Sequence, residues 1–241
     1  MLTKRPFLWA ALLLAACVVA LPYSTPLFAS LFPQLDRPLY TQESFAWLLW
    51  QHVLLVGASS LLAVVAGTAV GIAITRSSGQ SFKPLIESVL ATSQAVPPVA
   101  VLALAVPVVG FGELPALLAL ALYGLLPVVQ GTVSGLQDVP ALQRQAALSL
   151  GLSGNQSLRY IGIPLALPVW LSGVRTSIII NIGTAAIAST VGAKTLGSPI
   201  IVGLSGFNTA YILQGALVLA LLAITVDMAF EVLARRLACR G

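Results

Sequence analysis

Apolar residues occur along this chain in long runs separated by short polar intervals, and the runs set the architecture. A helix needs about 20 mostly apolar residues to cross a bilayer. Such runs extend from Phe7 to about Leu21, from about Phe45 to Ile74 and from about Leu85 to Val109. Three more cover about Leu114 to Gly135, about Leu165 to Val191 and about Thr209 to Leu233. They predict an all-α membrane protein with about six transmembrane helices. The third run contains Pro97-Pro98, which removes two backbone donors and predicts a kink. In the second, Gly67 and Gly71 share one helix face and predict close contact with a neighbour.

Composition fixes the solvent. Of the 241 residues, 58% are hydrophobic and 8% charged, whereas a soluble domain carries about a quarter charged residues. The surface must therefore face lipid. A net charge of +5 raises the question of nucleic acid, but the basic residues are dispersed between apolar runs rather than gathered on one segment. With the N-terminus inside, Lys4, Arg5, Arg76, Lys83, Arg144, Arg159, Arg235, Arg236 and Arg240 are cytoplasmic, Arg37 and Lys194 lie outside, and Arg175 falls within a span. Nine against two obeys the positive-inside rule and predicts both termini in the cytoplasm.

Two cysteines, Cys17 and Cys239, and the single His52 make neither a disulfide framework nor a metal site. Lys4-Arg5 before an apolar run that reaches Cys17 is the pattern of a secretory leader, but the run continues through Leu21, which predicts an uncleaved anchor. Residues 1–44 are thus expected to form the first span and an extracytoplasmic connector. A transmembrane domain over 45–235 and a cytoplasmic tail over 236–241 follow. Within the connector, Leu27-Phe28 and Leu31-Phe32 predict a short interfacial turn.

The longest cytoplasmic loop, about residues 137–164, carries the clearest local signal. Asp138 and Pro140 mark a helix start, Ala141 to Leu150 is a good helix former, and Gly151 is a natural stop. A second helical segment is expected from about Asn155. The spacing Gln145-Ala146-Ala147, then Gly151, Ile161 and Ile163-Pro164 resembles the EAA loop of ABC importer permeases. In that family the loop forms a coupling helix that docks in a cleft of a cytoplasmic ATPase subunit. The resemblance therefore assigns ATPase coupling to Gln145, Ala146, Ala147, Gly151, Ile161 and Pro164. Gln145 stands where the family usually has an acidic residue, and Ile163 where it has leucine. The chain has no P-loop: Gly192-Ala193-Lys194-Thr195 lacks the upstream glycine spacing. The resemblance accordingly implies no bound cofactor, with ATP used by the partner.

Polar residues inside the runs mark the second region of interest. Ser177, Asn181 and Thr184 recur at i, i+4 and i+7, so they share a helix face. They are either interhelical hydrogen-bonding groups or, with Gln94, the lining of a solute path. Arg175 is too costly to face lipid at depth, so it is expected either to snorkel toward the cytoplasm or to pair with Asp227 in the last run.

From about Phe45 onward the chain is similar to the permeases of osmoprotectant importers, which move glycine betaine, choline, carnitine and related quaternary ammonium compounds. The residues that carry this are Gly173-Val174-Arg175-Thr176, the segment from Gly183 to Gly192, Thr195-Leu196-Gly197 and Ile200 to Leu204. Lys194-Thr195 replaces a Gly-Gly pair of many relatives. The resemblance implies a type I importer permease in a bacterial inner membrane. Its implied partners are cytoplasmic ABC ATPase subunits, a second permease copy or paralogue, and an extracytoplasmic solute-binding protein. A methionine- or amino-acid-type importer permease shares the fold and loop and is the alternative. A secondary transporter would need an ion-coupling site, and only Glu87 and Asp227 offer intramembrane carboxylates.

Overall fold

Each long apolar run becomes a helix because backbone N–H and C=O groups in lipid must be satisfied within the segment. The computed structural model describes residues 5–76 and 78–238. Lys4, Cys239 and Arg240 lie outside the described residues. The helices are α1 (Arg5–Ala20), α2 (Thr25–Leu31), α3 (Phe45–Thr75), α4 (Lys83–Ala95), α5 (Pro98–Val109), α6 (Glu113–Gln137), α7 (Ala141–Ser149), α8 (Gly154–Ser157), α9 (Ile163–Ala185), α10 (Ser198–Ser205) and α11 (Thr209–Ala238). Among the described residues, five segments are long and apolar enough to cross a membrane, and a sixth is a bent pair.

That pair departs from the expected kinked span. α4 and α5 meet at 94°, far beyond a proline kink. Val96 and Pro97 are both extended, because each precedes a proline that disfavours helical geometry. The exposed backbone is satisfied by α6. Pro127 inside α6 has no N–H, which frees the carbonyl of Tyr123 one turn earlier; Gln94 Nε2 donates to that carbonyl at 2.8 Å. In return the Tyr123 hydroxyl donates to the Val96 carbonyl. The break is thus a reciprocal clasp between two proline-disturbed helices. The pair still carries the chain from one end of the bundle to the other. The C-cap of α3, Arg76, lies beside the α7–α8 loop, and the N-cap of α6 is Gly112, whose N–H donates to the Val191 carbonyl at the opposite end.

α6 is the central rod, lying between α3 and α9. Its neighbours come close because small residues face it. A Cβ on Gly71 would sit 2.6 Å from Thr132, and one on Gly173 would sit 2.5 Å from the Pro127 carbonyl oxygen. α1 and α10 pack on α11, which leans on α9. The connector folds over the end of the bundle opposite the α7–α8 loop. α2 buries Phe28, which stacks on Phe32 with ring centroids 6.3 Å apart. Gln214 in α11 is fully buried and clamps this connector near its end: Nε2 donates to the Pro38 carbonyl at 2.7 Å, and Oε1 accepts from the Tyr40 N–H at 3.1 Å.

The run expected to continue from Leu165 to Val191 breaks instead at Ala186. A 3-10 turn over Ile187–Val191 and a loop then lead to α10.

Candidate functional site

The loop between α6 and α9 is built by local rules. α7 ends in a Schellman motif: the Gly151 N–H donates to Leu148 at 2.9 Å and the Leu152 N–H to Ala147 at 3.1 Å. Gly151 takes φ of +68°, a left-handed geometry that glycine adopts without a Cβ penalty. Ser153 then caps α8 through a capping box with Gln156, with bonds of 3.3 and 2.8 Å. A π-helical turn over Leu158–Gly162 leads without interruption into α9. The start of α7 has no side-chain cap at Pro140; Arg144 secures the α6–α7 junction instead, donating Nε to the Val139 carbonyl at 2.9 Å and Nη2 to that of Gln137, the last residue of α6.

Of the residues assigned to coupling, Ala147 is fully buried, facing α8 and the π turn. Gln145, Ala146, Gly151 and Pro164 are exposed, and Ile161 is half-buried in the π turn. Leu142, Leu148 and Leu150 are also exposed, each by more than 70%. Two exposed leucines on a nine-residue helix outside the long apolar spans, with a third at its C-cap, leave apolar surface on more than one side of α7.

The polar residues of the interior separate into different roles. Ser177 and Asn181 are fully buried among α3, α6 and α9. Ser177 Oγ donates to the Gly124 carbonyl at 2.9 Å, and Asn181 Nδ2 donates to Ser60 Oγ at 3.0 Å. Asn181 Oδ1 has no partner among the described residues. Thr184 is half-buried one turn further on. Gln94 is spent on the clasp with α6 and stands apart from these three. The structure therefore does not gather the four residues into one lining. Arg175 and Asp227 do meet: Nε and Nη2 each donate to a carboxylate oxygen at 2.6 Å, a bidentate geometry joining α9 to α11. Arg175 lies twelve residues into α9, about 18 Å along its axis by helical rise.

Three groups were not read as functional from sequence. His52 is fully buried, although an isolated histidine near a span end reads as interfacial. Its Nδ1 accepts from the Leu196 N–H at 3.3 Å and its Nε2 lies 3.1 Å from the Ile182 carbonyl, which fixes a neutral ring with the proton on Nε2. It ties α3 to α9 and to the loop before α10. In that loop Thr195 Oγ1 donates to the Ala185 carbonyl at 3.1 Å, accepts from the Gly197 N–H at 3.0 Å and contacts Ser189 Oγ at 2.8 Å. At the end of the bundle opposite the α7–α8 loop, Lys194 pairs with Glu43, which also accepts from the Tyr40 hydroxyl. Burial alone would raise the Glu43 carboxyl, but its bonds to Lys194 and Tyr40 outweigh that and hold it below the ordinary carboxylate range. Burial, with Glu43 alongside, pushes the Tyr40 phenol well up. The only sequence signal for this cluster is the presence of both charges in outside segments.

Residues 63–238 match the family described as binding-protein-dependent transport system inner membrane component. The osmoprotectant import permease protein OsmY of Salmonella typhimurium is 36% identical over 196 residues, covering 81% of this chain and 83% of that protein. The glycine betaine/carnitine/choline transport system permease protein OpuCB of Bacillus subtilis is 34% identical, covering 76% and 85%. Among solved structures, the inward-facing MetNI methionine ABC transporter aligns with a TM-score of 0.72 at 20% identity, over 82% of this chain and 99% of that one. The likeness to that structure is one of fold. The chain belongs to the binding-protein-dependent inner-membrane transport components.

Proposed function

We propose that this member of the inner-membrane transport components is the permease of an ABC importer for a small osmoprotectant, such as glycine betaine, choline or carnitine. Its family is that of multi-pass subunits working with a separate ATPase and a binding protein. Relatives of both named kinds cover more than three quarters of the chain, which supports the substrate class. Both termini are assigned to the cytoplasm by the distribution of lysine and arginine.

The observation that carries the coupling role is α7 itself: an exposed short helix, closed by a left-handed glycine and packed on α8 and the π turn that run directly into α9. Gln145, Ala146 and Gly151 face the ATPase, Ala147 seats α7 against α8 and the π turn bearing Ile161, and Pro164 opens α9 behind them. α9 in turn is fastened to α11 by Arg175–Asp227, to α6 and α3 by Ser177 and Asn181, and to the outer loop through Ile182 and His52. A displacement of α7 is therefore carried along α9 to the segment bearing Thr195. Gln145 offers hydrogen bonds without charge, so docking rests on the exposed leucines and neutral groups of the loop more than on an ion pair.

Ser177 and Asn181 are sealed within the subunit, so they act as fasteners of the helices around the path. The exposed face of α9 and its continuation presents Ser172, Thr176, Gly183 and Thr190, with Thr184 at its edge. Facing a second permease copy or paralogue, that face is the wall of the path. Its hydroxyls are weakly polar, since Thr176 and Thr190 already donate to Ser172 and Ile187 carbonyls at 3.0 and 2.7 Å. A solute released from a binding protein meets small, replaceable contacts there, and selection stays with the binding protein, where an aromatic cage suits a quaternary cation.

The test is a mild-detergent pull-down of the tagged chain from its native membrane, with mass spectrometry of the proteins recovered. Recovery of a Walker-type ATPase and an extracytoplasmic binding protein, the latter titrating with glycine betaine, choline or carnitine, is the expected result. A folded chain that comes down alone refutes the coupling role, and a binding protein that takes only amino acids refutes the substrate class.

A further inference from the structure

Two cavities meet at the end of the bundle that carries the coupling loop. The first, of about 350 Å³, lies between the end of α3, the α6–α7 junction and the α8 turn. Arg76 and Arg144 line it, and its described lining holds no carboxylate. The two arginines differ. Arg144 is engaged by the carbonyls of Gln137 and Val139, while the Arg76 guanidinium lies near Gly154, with Nη1 3.9 Å from where a Cβ there would stand. The second cavity, of about 160 Å³, runs up the flank of α3, α6 and α9.

This second wall is apolar for a specific reason. Its polar side chains are satisfied within the protein: Trp170 Nε1 donates to Thr68 Oγ1 at 2.8 Å, and Thr132 Oγ1 donates to the Val128 carbonyl at 2.7 Å. What remains facing outward is Ile72, Leu136, Leu167 and the indole face. Leu136 borders both cavities, and Gly162 and Ile163 continue the wall from one to the other. A cationic recess at a span end thus opens onto an apolar groove within the span.

We propose that this composite site holds an anionic phospholipid, its phosphate against Arg76 and an acyl chain in the groove beside Trp170. A diester phosphate supplies the negative charge the recess lacks, and hydrocarbon covers a wall with no hydrogen bonds to offer water. Water or a free anion fills the recess but leaves the groove uncovered. An acidic side chain from a docked protein does the same. The orientation proposed above enters only in naming the leaflet, which is then the cytoplasmic one. Because the recess shares Arg144 and the π turn with the coupling loop, the bound lipid braces α7 against α3.

The groove contains its own reporter. In a chain carrying Trp9→Phe, Trp47→Phe and Trp50→Phe, Trp170 remains, and subtracting the signal of the same chain with Trp170→Phe isolates it. The assembled permease–ATPase complex is placed in nanodiscs with acyl-brominated phosphatidylglycerol or phosphatidylcholine. Brominated phosphatidylglycerol is expected to quench Trp170 at about tenfold lower mole fraction, the size of one charge-assisted hydrogen bond. Arg76→Gln is expected to erase that preference while leaving ATPase recovery intact, and Ile72→Phe to reduce quenching by both lipids. Equal quenching by the two lipids, or a preference that survives Arg76→Gln, overturns the site. Loss of the preference in millimolar inorganic phosphate assigns the recess to free anions, and a preference seen only without the ATPase assigns it to that partner; either overturns the proposal. Recovery of the ATPase is read separately, so failure of the lipid site is distinct from failure of the importer reading.

Discussion

Substituting Gly151 separates the shape of the coupling loop from the stability of the bundle. The residue sits at φ +68°, and a Cβ built there meets nothing within 4 Å. A side chain therefore costs only the left-handed backbone, about 1–2 kcal/mol for an ordinary L-residue. Asparagine visits that region several-fold more readily, so Gly151→Asn retains most of the turn. If the ATPase docks the loop in this geometry, its apparent affinity falls by the fraction of loops that leave it. A shift of 1–2 kcal/mol sets the ceiling at about 5- to 30-fold. Titrating purified ATPase onto the detergent-solubilised chain should give weakening in the order Val above Ala, with Asn within about threefold of wild type. The melting temperature should be unchanged across the series, because no bundle contact is touched. ATPase binding by Gly151→Val equal to that of wild type, or Asn as damaging as Val, refutes the link between this turn and docking.

Three further outcomes follow from other parts of the structure. Gly173→Ala places a methyl 2.5 Å from the Pro127 carbonyl oxygen and forces α6 from α9, costing about 2 kcal/mol or more, read as a lower melting temperature in detergent. Arg175→Ala and Asp227→Ala each strand a charge, and with both side chains more than a third exposed in the isolated chain the loss is discounted to about 1–2 kcal/mol. The double variant Arg175→Met/Asp227→Leu should recover it, and full stability in both single variants sinks the pair. Glu43 is held below the ordinary carboxylate range when folded, so its contribution is complete above the unfolded value of about 4.3 and is lost as pH falls below it. The melting temperature of wild type should therefore drop more steeply on acidification than that of Glu43→Gln; parallel pH profiles refute the anchor.

The parts legible in the sequence are those decided locally or by the solvent. Lipid demands long apolar runs, so the spans stand out by composition alone. The loop from Ala141 to Gln156 follows from propensity, a glycine stop and a Ser–Gln capping box, all within one stretch of chain. Arg175 and Asp227 stand out because a charge inside an apolar run needs a partner and few exist. The break at Pro97-Pro98 was legible only as a disturbance. Its depth depends on Gln94 and Tyr123, which lie 29 residues apart and find each other only once α4 lies against α6.

The same reasoning explains why the periodicity of Ser177, Asn181 and Thr184 did not reveal their use. Spacing identifies a face, but not whether that face meets solute or another helix. Here Gly124 decides it: a Cβ at that position would stand 2.7 Å from Ser177 Oγ and 3.0 Å from Asn181 Nδ2, so α6 closes over both side chains. His52 is the converse case. Its neighbours Trp50, Val53 and Leu54 are exposed while it is fully buried, and no pattern within α3 signals that Leu196, 144 residues on, supplies the donor its ring accepts. Residues that join distant segments in lipid are chosen by unsatisfied backbone groups elsewhere. In this chain those groups arise at Pro127, at Val96 and in the loop before α10. The proposed path wall has the opposite property, polar side chains content with their own helix, which is why the proposal puts solute contacts at Thr176 and Thr190 and not at the buried pair.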